Sequence, residues 1–265
     1  VASDPANEKF LHNEFGVNYR FGKLGINASA YNTDWQDRNL TKSVTTGQGD
    51  SGDTDVIFLT GVNQKHSGVE LETNYMVNDM LDLMFVASFG NWKFDGDANG
   101  NYQETEYNSE GQAIGYTTTE YAYALDGLYV GDMPQTSYVL GVTLKPIKDL
   151  RIQAIHKMYD KNYSDWSPSA REFDGTNDDA DRAQVWEAPS YNRLDLHMSY
   201  KLPKVKDLDM MLTANIFNVL DEVYVQDAVD NSQYNGYGSK QHLPHNAEVF
   251  LGTPRYANIG LSIGF

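Results

Sequence analysis

The sequence predicts an all-β chain: a portion of an antiparallel transmembrane β-barrel, with about nine long meandering strands, short turns at one end and long loops at the other. Three observations carry this. Apolar and polar residues alternate with period two along most of the chain, short and long connections alternate strictly, and most alternating runs reach eleven residues or more. A tilted spanning strand needs about 9–11 residues, against about 5–6 for the commonest soluble strand.

In chain order, Leu11–Phe21 turns tightly at Gly22 into Lys23–Val44. A long connection, Thr45–Thr54, leads to Asp55–Val77, which turns at Asn78-Asp79 into Met80–Phe94. The long Asp95–Pro134 stretch precedes Gln135–Pro146, and Ile147-Lys148-Asp149 links that run to Leu150–Tyr163. Ser164–Ser190 is long again, and Tyr191–Leu202 then passes through the short Pro203–Asp207 link to Leu208–Val225. A last long connection, Gln226–Thr253, reaches Pro254–Phe265. A soluble sandwich has no reason to keep its long loops at one end. Outer-membrane barrels do, pairing tight periplasmic turns with extended extracellular loops.

The faces agree. Tyr138, Leu140, Val142 and Leu144 alternate with Val139, Gly141, Thr143 and Lys145, while Leu194, Leu196 and Met198 alternate with Arg193, Asp195, His197 and Ser199. Val69, Leu71 and Tyr75 alternate with Gly68, Glu70, Glu72 and Asn74, and Ile259, Leu261, Ile263 and Phe265 with Asn258, Gly260, Ser262 and Gly264. A wet lumen tolerates such a polar face and a dry sandwich core does not. Phe89 and Trp92, some ten residues above the Asn78-Asp79 turn, are placed at the outer aromatic belt, whereas the parity of Tyr31 and Tyr159 puts them on the polar face.

Composition narrows the class. No run of eighteen apolar residues occurs and mean hydropathy is −0.55, so helical membrane spans are excluded while barrel strands are not. A net charge of −17 argues against nucleic acid as a partner. There is no cysteine, hence no disulfide or thiolate metal site, and Val1-Ala2-Ser3-Asp4 opens without the features of a signal peptide. No Lys or Arg lies between Phe94 and Lys145, while lysines gather near the short turns. Charged, solvated loops explain that separation.

Four segments resemble TonB-dependent outer-membrane receptors. Asn13-Glu14-Phe15-Gly16-Val17, leading through Leu24–Tyr31 into Thr33-Asp34-Trp35-Gln36-Asp37-Arg38, resembles a family hairpin. His66-Ser67-Gly68-Val69-Glu70-Leu71-Glu72 resembles a recurrent strand, and Asn215-Ile216-Phe217-Asn218-Val219-Leu220-Asp221 with Tyr224 resembles the penultimate-strand motif. Gly252-Thr253-Pro254-Arg255 before an alternating strand ending in Phe265 resembles the closing strand. The resemblance implies the bacterial outer membrane, its lipid on one face, and TonB-dependent uptake of a scarce small extracellular ligand such as a siderophore, corrinoid or glycan. It also implies contact with the TonB complex through a plug domain that is missing here. Phe265 is the aromatic terminus that the barrel-assembly machinery would read. Residues 1–265 then form the C-terminal part of a barrel of about 22 strands, lacking the plug and earlier strands. A passive porin, a barrel adhesin and a soluble carbohydrate-binding β-protein are the alternatives.

The sharpest chemical motif is Asp95-Gly96-Asp97-Ala98-Asn99-Gly100-Asn101, closing at Glu106. It matches D-x-D-x-N-G-x5-E, whose oxygens at Asp95, Asp97, Asn99, Asn101 and Glu106 would wrap a calcium ion. The bland alternative is loop composition, and no cofactor is required. His242 and His245 are a candidate metal or haem contact. Tyr121, Tyr123, Trp166, Trp186, Tyr234 and Tyr237 are candidate ligand-stacking groups in the long loops, or else pack on one another. Glu70, Glu72, Arg193, Asp195 and His197 are assigned to the lumen. No G-x-S-x-G, cysteine nucleophile or phosphate-cradling loop occurs, so the chain is not expected to be an enzyme.

Overall fold

The computed structural model describes residues 7–46, 53–173, 180–204, 206–230 and 242–265. Its strands are β1 (Lys9–Phe21), β2 (Leu24–Thr46), β3 (Asp53–Asn78), β4 (Leu81–Phe94), β5 (Ala98–Tyr107), β6 (Ala113–Tyr123), β7 (Thr136–Leu144) and β8 (Leu150–Asp160). They continue with β9 (Asn162–Tyr163), β10 (Glu172–Phe173), β11 (Glu187–Ala188), β12 (Tyr191–Lys201), β13 (Asp209–Phe217), β14 (Val225–Val229), β15 (Glu248–Leu251) and β16 (Tyr256–Gly264). A four-residue helix, α1 (Pro168–Arg171), precedes β10. No described helix is long and apolar enough to cross a membrane.

Nine of these strands form one continuous antiparallel wall in the order β1-β2-β3-β4-β7-β8-β12-β13-β16, and they are the nine read from the sequence. The wall is a barrel portion, and its sheet does not close. Paired residues in an antiparallel ladder share a face, so the register gives each face row by row. One row runs Phe21, Leu24, Tyr75, Leu83, Val142, Ala154, Leu196, Ile216 and Ala257 across all nine strands. Apolar residues of this face stand open to the surroundings: Leu140 is 51% exposed and Ile259 79%. In β4 the apolar residues run from Leu81 to Phe89, about 30 Å of strand. A tilt near 45° turns that into roughly 21 Å of height, close to the ~25 Å apolar band of a spanning barrel. Above it the row Leu11, Asp34, Lys65 and Lys93 is largely charged.

The opposite face is polar and bonds to itself. His197 meets Asn215 at 2.8 Å, and the Asn215 amide donates to Asn258 at 2.8 Å. Gln153 donates to Thr143, and Lys145 pairs with Asp82. Tyr31 belongs here as its parity requires: it lies over Gly68, where an added Cβ would meet the phenol oxygen at 2.5 Å, and it accepts a hydrogen bond from the Trp92 indole. Trp92 is therefore on the polar face with His66 and not in the outer belt. It stands three positions along the strand from Phe89, so the two point to opposite sides.

The expected long connections carry strands of their own. The Asp95–Pro134 stretch contains the β5–β6 hairpin, and β5 pairs with the upper part of β3 beyond the reach of β4. β2 and β3 thus stand far taller than a bilayer requires. Each carries an extra residue at the boundary: the register slips between Trp35 and Arg38 beside Asp37 (φ +57°), then between Arg38 and Leu40 beside Gly61 (φ +68°). The expected Leu208–Val225 strand stops at Phe217, because Asn218 (φ +49°) and Asp221 (φ +55°) turn the chain. Likewise Leu150–Tyr163 breaks at Lys161 (φ +54°).

Candidate functional site

The described parts of the long connections form a small cap at the open end of the wall. Its core gathers Ile57, Leu59 and Val62 of β3, Phe94, Tyr123, Leu125, Leu128, Tyr163, Trp166 and Val185. Gln135 seams this cap to the wall: its side chain accepts from the Trp92 amide at 2.9 Å and donates to the carbonyls of Trp92 and Val130. Lys42 of β2 pairs with Asp165, and Arg182 grips Asp97 with two bonds of 3.0 and 2.8 Å. Hydrogen bonding from Arg182 holds the Asp97 carboxyl below the usual carboxylate range, helped by the Leu125 and Asp126 amides.

The expected calcium loop is not a loop. Ala98–Tyr107 is strand β5, which separates Asp97 from Glu106 by roughly 25–30 Å, so the five oxygens cannot surround one ion in this conformation. Asp95 pairs with Lys65 at 2.8 Å instead, and Asp97 with Arg182. Asn99 and Asn101 are ladder residues facing Thr60 and Phe58. No group of three or more metal-ligating side chains fit to hold an ion occurs among the described residues.

The loop aromatics divide. Tyr123 is fully buried and Trp166 is 2% exposed, their rings 6.0 Å apart with Phe94 edge-on to Trp166 at 6.3 Å. These two build the cap core and offer no face to a ligand. Tyr121 packs against the same core, and Trp186 is half-buried, its carbonyl held by Ser164. Tyr234 and Tyr237 lie outside the described residues.

Of the lumen residues, Glu70 and Glu72 stand exposed on the polar face of β3. Arg193, Asp195 and His197 share that face on β12, four strand spacings or roughly 19 Å away, so the two groups do not meet. Asp195 is 1% exposed and builds a corner: it pairs with Lys157 at 3.0 Å and Arg193 at 3.7 Å and accepts the Asn218 amide at 2.9 Å. Asn218 in turn bonds Glu222 and Thr253. Tyr224 accepts from Arg193, stacks on Tyr191 at 4.3 Å and lies over Gly252, where a Cβ would meet its ring at 1.9 Å. The penultimate-strand motif is thus a joint among β12, β13 and β16.

Two features escaped the sequence reading. On the polar wall a cavity of about 360 Å³ is lined by Phe10, His12, Glu14, Tyr31, Thr33, Trp35, His66, Glu70 and Trp92. The period-two parity of His12, His66 and Trp92 was its available signal. In the cap, the His242 side chain is enclosed between Asp181 and Asp230, while His245 is exposed.

Residues 8–219 match the family described as TonB-dependent receptor-like, beta-barrel. No curated protein matches in sequence. Among solved structures, the copper transporter OprC superposes with a TM-score of 0.57 at 16% identity, covering 97% of this chain and 31% of its own. The siderophore receptor PiuA from Acinetobacter baumannii gives 0.56 at 18% identity, covering 96% of this chain and 28% of its own. The chain therefore spans less than a third of those two structures, and the likeness is one of fold.

Proposed function

This chain belongs to the TonB-dependent receptor β-barrel family, and on that premise we propose that it forms part of the wall of an outer-membrane receptor importing a scarce small ligand. The observation that supports this best is the two-faced nine-strand wall, apolar across its outer rows and hydrogen-bonded on its inner face. Such a wall suits lipid outside and water inside. Energy would come from the TonB complex through a plug lying against the polar face, the plug and remaining strands being supplied outside these residues. The similar structures are named for copper and for a siderophore, so a metal ion or its chelate is the first ligand class to test.

The test is uptake of radiolabelled iron, bound to catecholate or hydroxamate chelators, and of radiolabelled copper, by cells producing the full receptor. Uptake of one of them should vanish in a strain lacking TonB and on collapse of the proton gradient. Passage indifferent to both would make the protein a passive pore.

A further inference from the structure

Four ionisable side chains meet out of water in the cap. Arg171, the last residue of α1, is 0% exposed, and the side chains of Asp181, His242 and Asp230 are 6%, 5% and 1% exposed. Arg171 and Asp181 come from the excursion between β8 and β12, Asp230 and His242 from the one between β13 and β16. His242 Nε2 lies 2.9 Å from an Asp181 carboxylate oxygen, while Nδ1 contacts an Asp230 oxygen. Arg171 donates to the carbonyls of Asp181 and Ala183 at 2.8 and 2.6 Å. Its guanidinium also lies 3.6 and 3.5 Å from the carboxylates of Asp181 and Asp230.

A neutral imidazole has one N–H, an imidazolium two. With a carboxylate oxygen at each ring nitrogen, only the imidazolium donates to both. In that state two positive charges balance two negative ones. Loss of the proton turns a lone pair toward one carboxylate and leaves a net negative charge in a buried cluster, where uncompensated charge is costly. We propose that Arg171, Asp181, Asp230 and His242 form a proton-dependent clasp that holds the two loop excursions together while His242 is doubly protonated and releases them when it is neutral. The clasp rests on buried geometry alone; its place outside the cell rests on the receptor reading.

Other forces on His242 are consistent. Burial and the Arg171 charge, whose Nη2 lies 3.3 Å from Nδ1, disfavour the imidazolium, but the hydrogen bonds to Asp230 and Asp181 outweigh them and raise the pKa above the ordinary 6.5. A raised value means that the stabilisation is complete below the ordinary pH of histidine titration and is lost as pH climbs through the raised value. The nearby Asp165, whose carbonyl accepts the Asp230 amide, is itself neutralised by Lys42.

The test uses the full receptor in detergent micelles, with heat-resistant gel mobility confirming a folded barrel in every variant. Hydrogen exchange, corrected for its intrinsic pH dependence, is followed in residues 180–188 and 225–230. Histidine resonances are titrated alongside. Protection of both segments should fall by about tenfold for each pH unit between the ordinary histidine value of 6.5 and the raised His242 midpoint, and level off above it. Asp181→Asn, which removes one of the two carboxylates, should move the midpoint down, and His242→Gln should exchange fast at every pH with no step. Flat protection in the parent, a His242 midpoint at or below 6.5, or a step that survives His242→Gln would overturn the clasp. Transport is not the readout, so failure here leaves the receptor reading standing.

Discussion

The nine-strand wall and the cap solve the burial problem in opposite ways. In the wall, apolar side chains face outward and stay exposed within the protein, with Phe89 at 42% and Val69 at 49%, because a hydrocarbon solvent would cover them. In the cap, Leu59, Leu125 and Trp166 are almost wholly buried among themselves, as in any soluble core. Alternation alone therefore marks where a side chain points; the medium on that side decides whether it needs a protein neighbour.

The sharpest way to break that contrast is Trp166→Ala. Removing a buried indole should cost about 3–5 kcal/mol locally. Protease should then nick the loops while the barrel keeps its heat-resistant mobility on gels; collapse of both would show that wall and cap are one unit. Leu140→Arg, near mid-height on the outer face, should cost about 2–4 kcal/mol in folding titrations in lipid. Glu72→Arg, on the polar face, should cost under about 1 kcal/mol there, and equal penalties would refute the assignment of faces. Between the regions, Gly252→Ala drives a methyl into Tyr224 and should cost about 1–3 kcal/mol, seen as a lowered unfolding midpoint. The smallest effect belongs to Arg182→Ala: with both partners partly exposed, screening limits the loss to about 0.5 kcal/mol. Because the Asp97 pKa is depressed, that contribution should exist above the ordinary carboxylate pKa and fade as pH falls through the depressed value.

The wall was legible because one face of each strand meets apolar surroundings, as Leu140, Val142 and Leu144 declare. The outer part of β6 was not: Tyr116, Thr117, Thr118, Thr119 and Glu120 are all exposed and show no apolar stripe. Its signals were β-branched residues and the Asn108-Ser109-Glu110-Gly111 turn, which the acidity of the stretch overshadowed. Asp, Asn and Gly suit turns as well as ion loops, so the calcium spacing did not foretell strand β5. Trp166 and Tyr123 were recognised as loop aromatics, but burial depends on partners distant in sequence. The clasp was not legible, for Arg171 and His242 stand seventy-one residues apart.

The two slips between β2 and β3 carry a practical consequence. One adds a residue to the first strand and the next adds one to the second, so they cancel, and pairing above them resumes with no net offset from the pairing below. The parts of β2 and β3 beyond Asp37 and Gly61 can therefore carry Ile57 and Leu59 into the cap core and pair with β5 while every row of the wall stays in alignment.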